Sequence, residues 1–394
     1  MAVSAMKGIL PLFLTYTLLF LLNACGGGGG GESAPPEKPQ QRGSLISASK
    51  ITSTRSILLP YNATAYKIIY STIDANGKPI QASGLLSIPD KGKGQKSPIL
   101  SYQHGTIFLN SQAPSNSRST IAAINTLSGT GYIVSAPDYI GYGKSASQMH
   151  PYIHANSLAT ASIDMLRASQ IFIAEKGLKT NGQLFLAGYS EGGYATLAMQ
   201  KMLQEKHTDE FTITASAAGA GPFDLTETAK ILANRTVNDQ PAYMNFLLKA
   251  YDSIYQLGNV NEMYQAQYRT TINTFFDGNH STSEINKNLN SHTAELFEPN
   301  FLATLQGDSA HIIKDKLALN NLYDWKPNAP TRFYHSVDDA IVPYSNAVKA
   351  LQTMRLNGAK NVSLGDCAFG SHVNCAFPYV LDARDFFSNY ANNL

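Results

Sequence analysis

Residues 188–192 read Gly-Tyr-Ser-Glu-Gly, which sets Ser190 between two glycines. A serine hydroxyl attacks an acyl carbon only when a base takes its proton. The G-x-S-x-G pattern suits a sharp strand-to-helix turn that exposes such a hydroxyl, because small flanking residues let neighbouring backbone pass close and tolerate strained angles. In a chain with 30 glycines the pentapeptide alone is a weak signal. Its surroundings carry more. Leu184-Phe185-Leu186-Ala187 before it reads as an apolar strand, a helical segment follows, and Gly193 adds room beside the turn. The competing reading is a structural Gly/Ser turn.

On such a turn the partners of the serine follow in the order acid, then histidine. Two acids, Asp338 and Asp339, sit in a strand–loop–helix segment from Tyr334 to Pro343, and of the nine histidines only His372 lies beyond them. An acid in that loop would point to the carboxyl edge of a parallel sheet, beside Ser190. One aspartate would accept the Nδ1–H of His372 and fix its tautomer, and the other would cap the following turn. Asp224 is an outside candidate for the acid that reads more naturally as a turn or helix cap. Acyl transfer also needs two backbone N–H groups for the oxyanion. The Glu191 amide, next to the nucleophile, is one. Thr106, in the loop Gln103-His104-Gly105-Thr106, is the expected second, with Gly105 letting the chain turn its amides inward.

The remaining polar candidates read as structural. His104 is expected to be a hydrogen-bonder rather than a base. His150 and His154 are four apart, as metal ligands on a helix would be, but Pro151 lies between them and no acid is near in sequence. They read as packing or helix-start residues. The glycine-rich loop 138–145 suits a tight turn near the mouth of the site. No metal and no organic cofactor is implied.

These residues need a frame to bring them together. Strands are predicted at 65–74, 80–89, 98–102, 132–136, 183–188, 211–218, 331–334 and 362–364, and helices at 157–176 and 194–203. Asn76-Gly77 marks a hairpin between the first two strands. The later strand–helix alternation predicts an α/β domain with a largely parallel sheet and helices on both faces. Residues 226–327 interrupt it. They show no convincing strand but do show helical apolar runs (Met244, Leu247, Leu248, Tyr251, Tyr255), and a structureless connection of that length would be unusual.

Several pieces together resemble the α/β-hydrolase superfamily and, more narrowly, its secretory lipase-like esterases: Tyr102-Gln103-His104-Gly105-Thr106, Ala136-Pro137-Asp138-Tyr139, His150-Pro151-Tyr152, Ala187-Gly188-Tyr189-Ser190-Glu191-Gly192-Gly193 and Gly219-Ala220-Gly221-Pro222. The resemblance runs from about residue 55 to the C-terminus. It implies an α/β-hydrolase fold, a mostly parallel central sheet flanked by helices, with a helical cap over the site at about 226–327. In that superfamily H-G-x-x-D followed by an apolar V-P often carries the acid. His335-Ser336-Val337-Asp338-Asp339 matches with its last residue and Val342-Pro343 follows, so the resemblance selects Asp339; Ser336 stands where the pattern has glycine.

The N-terminus reads as an address. Lys7 precedes a 14-residue apolar run, Ile9 to Leu22, too short for a spanning helix and suited to a signal peptide. Leu22-Asn23-Ala24-Cys25 then resembles the lipobox of bacterial lipoproteins, which are cleaved before the cysteine and acylated on it. Six glycines and a Ser/Pro/Gln-rich stretch follow, a composition that forms a tether rather than a core. The expected organisation is a signal peptide at 1–24, lipidated Cys25 and tether at 25–43, and a catalytic domain at 44–394. Gly26 after the cysteine, where an aspartate would signal inner-membrane retention, implies the bacterial outer membrane and leaves its face open. Cys367 and Cys375 bracket His372, and in an exported protein such a pair is expected to be a disulfide.

Composition bounds the rest. With 43% hydrophobic residues the chain can bury a large core, which excludes wholesale disorder. A formal charge of +2 gives no basic excess for nucleic acid. The expected function is therefore that of an exported, lipid-anchored serine hydrolase of carboxylic esters. Its expected partners are a small-molecule or lipid ester and the membrane that holds the anchor, with no obligate protein partner. The rivals are a peptidase or amide hydrolase of the same fold, and a non-catalytic surface protein that kept the fold for binding.

Overall fold

The computed structural model describes residues 41–394 apart from 56, 258–259 and 368–369. The expected signal peptide, Cys25 and most of the tether lie outside the described residues. Among the described residues nine strands form one sheet: β1 (Leu45–Thr54), β2 (Ala63–Ile73), β3 (Pro79–Pro89), β4 (Lys96–Gln103), β5 (Ile133–Pro137), β6 (Lys179–Tyr189), β7 (Ile213–Gly219), β8 (Thr331–Ser336) and β9 (Val362–Cys367). Their order is β1-β2-β3-β5-β4-β6-β7-β8-β9. β1, β2, β3 and β5 pair antiparallel, and every pairing from β5–β4 to β8–β9 is parallel.

The helices are α1 (Arg118–Ser128), α2 (Ala155–Glu175), α3 (Glu191–Lys206), a run from α4 to α10 between β7 and β8, α11 (Ser345–Leu356) and α12 (Ala376–Ser388). β6 shows why they lie on both faces. Leu184 and Leu186 enter the core shared with α2, α3 and α11, whereas Phe185, Ala187 and Tyr189 enter the one shared with α1 and α12. A strand buried on both faces reads as a continuous apolar run, which makes it visible in sequence. β1 is not. It is a largely exposed edge strand, LISASKITST, with no apolar alternation to betray it. α1 is likewise absent from the sequence-based expectation; Ser117 caps it, its Oγ accepting the Thr120 N–H at 3.3 Å.

The connections after β4, β6, β7 and β8 leave one edge of the sheet. Gln103 pairs with Gly188, Tyr189 with Gly219, and Gly219 with Tyr334. β4 is followed by β5 on one side of it and β6 lies on the other, so chain order reverses there. Ligand sites of open parallel sheets form at such a reversal, beyond the carboxyl ends of the strands.

The run between β7 and β8 comprises α4 (Leu225–Ala233), α5 (Pro241–Tyr255), α6 (Arg269–Thr274), α7 (Thr282–Lys287), α8 (Thr293–Leu296), α9 (Pro299–Gln306) and α10 (Ile312–Leu319). Asp224 caps α4, its Oδ1 accepting the Glu227 N–H at 3.1 Å, and it pairs with Lys349. α5 ties the run to the body of the domain: Phe246 stacks on Tyr152 with centroids 4.7 Å apart, and the Tyr251 hydroxyl donates to the Ile153 carbonyl at 3.0 Å.

Candidate active site

Ser190 stands between β6 and α3 with φ +62° and ψ −124°, a conformation that L-residues rarely adopt. The surrounding glycines explain how it is held. A Cβ at Gly188 would lie 2.3 Å from the Gly192 carbonyl oxygen, one at Gly192 2.1 Å from that of Gln103, and one at Gly193 2.1 Å from that of Gly219. Side chains at these positions would push α3 away from β4 and β7 and relax the turn. The Ser190 N–H donates to the Gly219 carbonyl at 2.8 Å, which fixes it against β7.

The three residues selected from sequence meet at the carboxyl edge. His372 Nε2 is 2.8 Å from Ser190 Oγ, and His372 Nδ1 is 2.5 Å from Asp339 Oδ2. A carboxylate only accepts, so Nδ1 carries the proton and Nε2 is free to accept the serine proton. The other oxygen of Asp339, Oδ1, accepts the N–H groups of Ile341 and Val342, both at 2.8 Å. Its side chain is fully buried. Burial alone would raise its pKa, but hydrogen bonds from His335 and His372, the charge interaction with His372 and the Val342 N–H hold it well below the usual carboxylate range.

Asp338 is exposed and its side chain does not reach His372. The structure corrects the expectation that the second aspartate would cap the turn: Asp339 itself caps it through Oδ1 while holding His372 through Oδ2. One carboxylate does both because it is buried inside the turn, whereas Asp338 points to water. Asp224 is occupied as a helix cap and does not reach His372.

The loop that carries His372 is tied down from three directions. Cys367 and Cys375 are joined by a disulfide. Ser336 Oγ donates to the Gly370 carbonyl at 2.5 Å, a bond that a glycine at 336 could not make. The Tyr189 hydroxyl donates to the His372 carbonyl at 2.7 Å. Sequence reasoning misses Tyr189, and it also misses His335, whose Nε2 lies 3.0 Å from the Val342 carbonyl and 3.2 Å from Asp339 Oδ2. Neither residue carries a local spacing signal for its role, because the contacts depend on how separate turns meet at the sheet edge.

Of the expected oxyanion residues, Glu191 is the neighbour of Ser190 in sequence and Thr106 follows Gly105, which packs on the serine turn. Glu191 takes the first position of α3, and an added Cβ on Gly105 would lie 3.1 Å from the Tyr189 carbonyl and 3.8 Å from Ser190 Cβ, so the Gly105–Thr106 segment passes over the turn. Thr106 Oγ1 is 3.0 Å from the Tyr152 hydroxyl. His104 is buried, stacks on Tyr139, and places its ring nitrogens 2.8 Å from the Gly105 carbonyl and 3.2 Å from the Asp138 carbonyl. His154 Nδ1 lies 2.7 Å from Ser157 Oγ and His150 binds Glu191, so neither presents a metal-ligand geometry. In the loop 138–145 the Asp138 carboxylate is consumed by Ser83, Ser115 Oγ and the Ser115 N–H.

Beside Ser190 opens a narrow cavity of about 60 Å³. Its walls are apolar: Leu225 and Ala229 of α4, Met244 and Leu247 of α5, Leu305 of α9 and Leu317 of α10. A carbonyl brought to Ser190 would therefore have its hydrocarbon substituent among the helices between β7 and β8.

The family model described as secretory lipase matches residues 116–380. A secreted triacylglycerol lipase of Malassezia furfur is 25% identical over 294 residues, covering 72% of this chain and 71% of that protein. The rice cell wall degrading esterase LipA of Xanthomonas oryzae superposes with a TM-score of 0.79 at 28% identity, covering 88% of this chain and 97% of that one. Candida antarctica lipase A in its closed state, at 16% identity, shares the fold with a TM-score of 0.69 over 90% and 84% of the two chains. The nine-stranded domain has the α/β-hydrolase fold.

Proposed function

From the premise that the chain belongs to the secretory lipase family and is a carboxylic ester hydrolase, we propose that Ser190, His372 and Asp339 form its catalytic triad and that hydrolysis proceeds through an acyl-enzyme. Ser190 Oγ attacks the ester carbonyl while His372 Nε2 takes its proton. Asp339 keeps the His372 tautomer and stabilises the imidazolium. The amides of Glu191 and Thr106 receive the oxyanion. His372 then gives the proton to the departing alcohol, and water, deprotonated by the same nitrogen, releases the acid. The observation that carries this reading is the unbroken hydrogen-bond line Ser190–His372–Asp339, with both distances at or below 2.8 Å.

The helical run at about 226–327 serves as a cap, and its apolar cavity beside Ser190 receives the acyl chain of a lipid ester. Export fits membership of the family. Acylation at Cys25 and attachment to the outer membrane through the tether extend this reading, and none of the described helices is long and apolar enough to cross a membrane. The test is hydrolysis of p-nitrophenyl esters from acetyl to palmitoyl by the wild type and Ser190→Ala, beside a panel of peptide amides. Ester turnover that falls roughly a million-fold in the variant is expected. Amide turnover with none on esters would overturn the substrate class, and ester turnover surviving in the variant would overturn the nucleophile.

A further inference from the structure

The triad mechanism uses the backbone of Glu191 and leaves its carboxyl unexplained. That carboxyl is wholly buried beside the amide proposed to hold the oxyanion. Oε1 lies 2.7 Å from His150 Nε2, and Oε2 has no hydrogen-bond partner. Among the described residues its side chain bonds to nothing except His150.

The other titratable groups around it cannot offset its charge. Tyr139, Tyr142 and Tyr152 are pushed well above their ordinary values, first by burial and then by the charge of Glu191, so they stay neutral. His104 is lowered chiefly by burial, although Glu191 pulls the other way, and its nitrogens face the carbonyls of Gly105 and Asp138. His150 is placed differently. Its Nδ1 lies 2.7 Å from the Ile140 carbonyl, an acceptor, so Nδ1 carries a proton. The contact between Nε2 and Oε1 then needs one further proton, held between the two. With that proton the pair is electrically neutral, whichever partner holds it more closely.

Resting on the triad reading, we propose that His150 is a positioning residue of the oxyanion hole: it shares one proton with Glu191 and thereby keeps an uncompensated negative charge away from the amide that must receive the oxyanion. A bare carboxylate there would oppose charge that appears only in the transition state, in a site that screens it poorly. Its removal should therefore act on kcat rather than KM. The same segment serves the second expected donor, since the Tyr152 hydroxyl bonds Thr106 Oγ1 at 3.0 Å. The ring of His150 is fixed by its neighbours, with Tyr142 at 4.7 Å and Phe246 at 5.7 Å between centroids.

The test is a double-mutant cycle in the full chain, read on p-nitrophenyl butyrate, with Ser190 titrated by a fluorophosphonate. His150→Gln keeps a hydrogen-bond donor and loses the neutralising proton; it should lower kcat by about thirtyfold, less than deletion of a whole oxyanion donor, with KM within about threefold. Glu191→Gln should lower kcat by about threefold, and the double variant should return to that level rather than show the product of both losses. A double variant as poor as His150→Gln, or a loss carried by KM, would overturn the proposal. If His150→Gln does not fold, the double variant against Glu191→Gln decides: agreement within about threefold supports the role, and a further thirtyfold loss refutes it. Failure of the wild type to label at Ser190 would overturn the nucleophile reading and this role with it; labelling without rescue would overturn this role alone.

Discussion

Replacing Asp339 by asparagine removes a charge with almost no change in shape, and the contacts of the turn dictate how the amide must sit. Oδ1 accepts two backbone N–H groups, from Ile341 and Val342 at 2.8 Å. The amide oxygen of an asparagine must take that place, because an NH₂ there would face two donors and leave both N–H groups unpaired, at about 1–3 kcal/mol for the buried Val342 N–H alone. The NH₂ is thereby forced to the position of Oδ2, 2.5 Å from His372 Nδ1. As a donor it selects the tautomer with the lone pair on Nδ1 and the proton on Nε2, which then cannot accept the proton of Ser190. Loss of the correct tautomer costs about 10⁴-fold in kcat, or roughly 5.5 kcal/mol. Asp338→Asn, on an exposed side chain, should stay within about threefold. The assay is kcat on p-nitrophenyl butyrate per active site titrated. An Asp339→Asn enzyme within about tenfold of wild type, or an Asp338→Asn enzyme that falls as far, would refute the assignment of the acid.

Three further outcomes rest on the same geometry. Burial pulls His154 down to about 4; a group depressed in the folded state contributes stability above its unfolded value, near 6.5, and loses it as pH falls toward 4. Urea unfolding should show the wild type losing up to about 3 kcal/mol more than His154→Gln across that window, and parallel pH profiles would contradict this. The disulfide closes a loop with a sequence separation of 8, so Cys367→Ser/Cys375→Ser should lose about 2.5 kcal/mol of stability and part of kcat through a looser His372; unchanged urea midpoints would show that the loop is held without it. Leu247→Trp narrows the cavity beside Ser190 and should lower kcat/KM for palmitoyl against acetyl esters by about tenfold or more; an equal effect on both would remove the cavity as the acyl site.

The site is legible in sequence where chemistry and chain order coincide. Gly188, Gly192 and Gly193 announce a turn too tight for side chains, and the single histidine beyond the acid pair leaves His372 without a competitor. The choice between Asp338 and Asp339 rests on a family pattern, since adjacent residues of one turn share every local signal and differ only in which points inward. The buried strands β4 to β7 are readable as apolar runs, but edge strand β1 buries too little to leave a pattern. Helices α6 to α8 span only four to six residues, too short for a helical period to emerge. Contacts such as His150–Glu191, 41 residues apart, and Tyr189–His372, 183 apart, are products of the tertiary fold. His150 reads as a packing residue in sequence because no acid stands near it; the fold brings one.

The proposed chemistry requires that Ser190 be a nucleophile activated by His372. Fluorophosphonate labelling of the wild type, His372→Ala and Ser190→Ala, followed by peptide mass spectrometry, is the test. One label per chain is expected on the peptide containing Ser190, with labelling at least about a thousandfold slower in His372→Ala and none in Ser190→Ala. A label on any other residue, or equal labelling in all three proteins, would contradict the proposed chemistry.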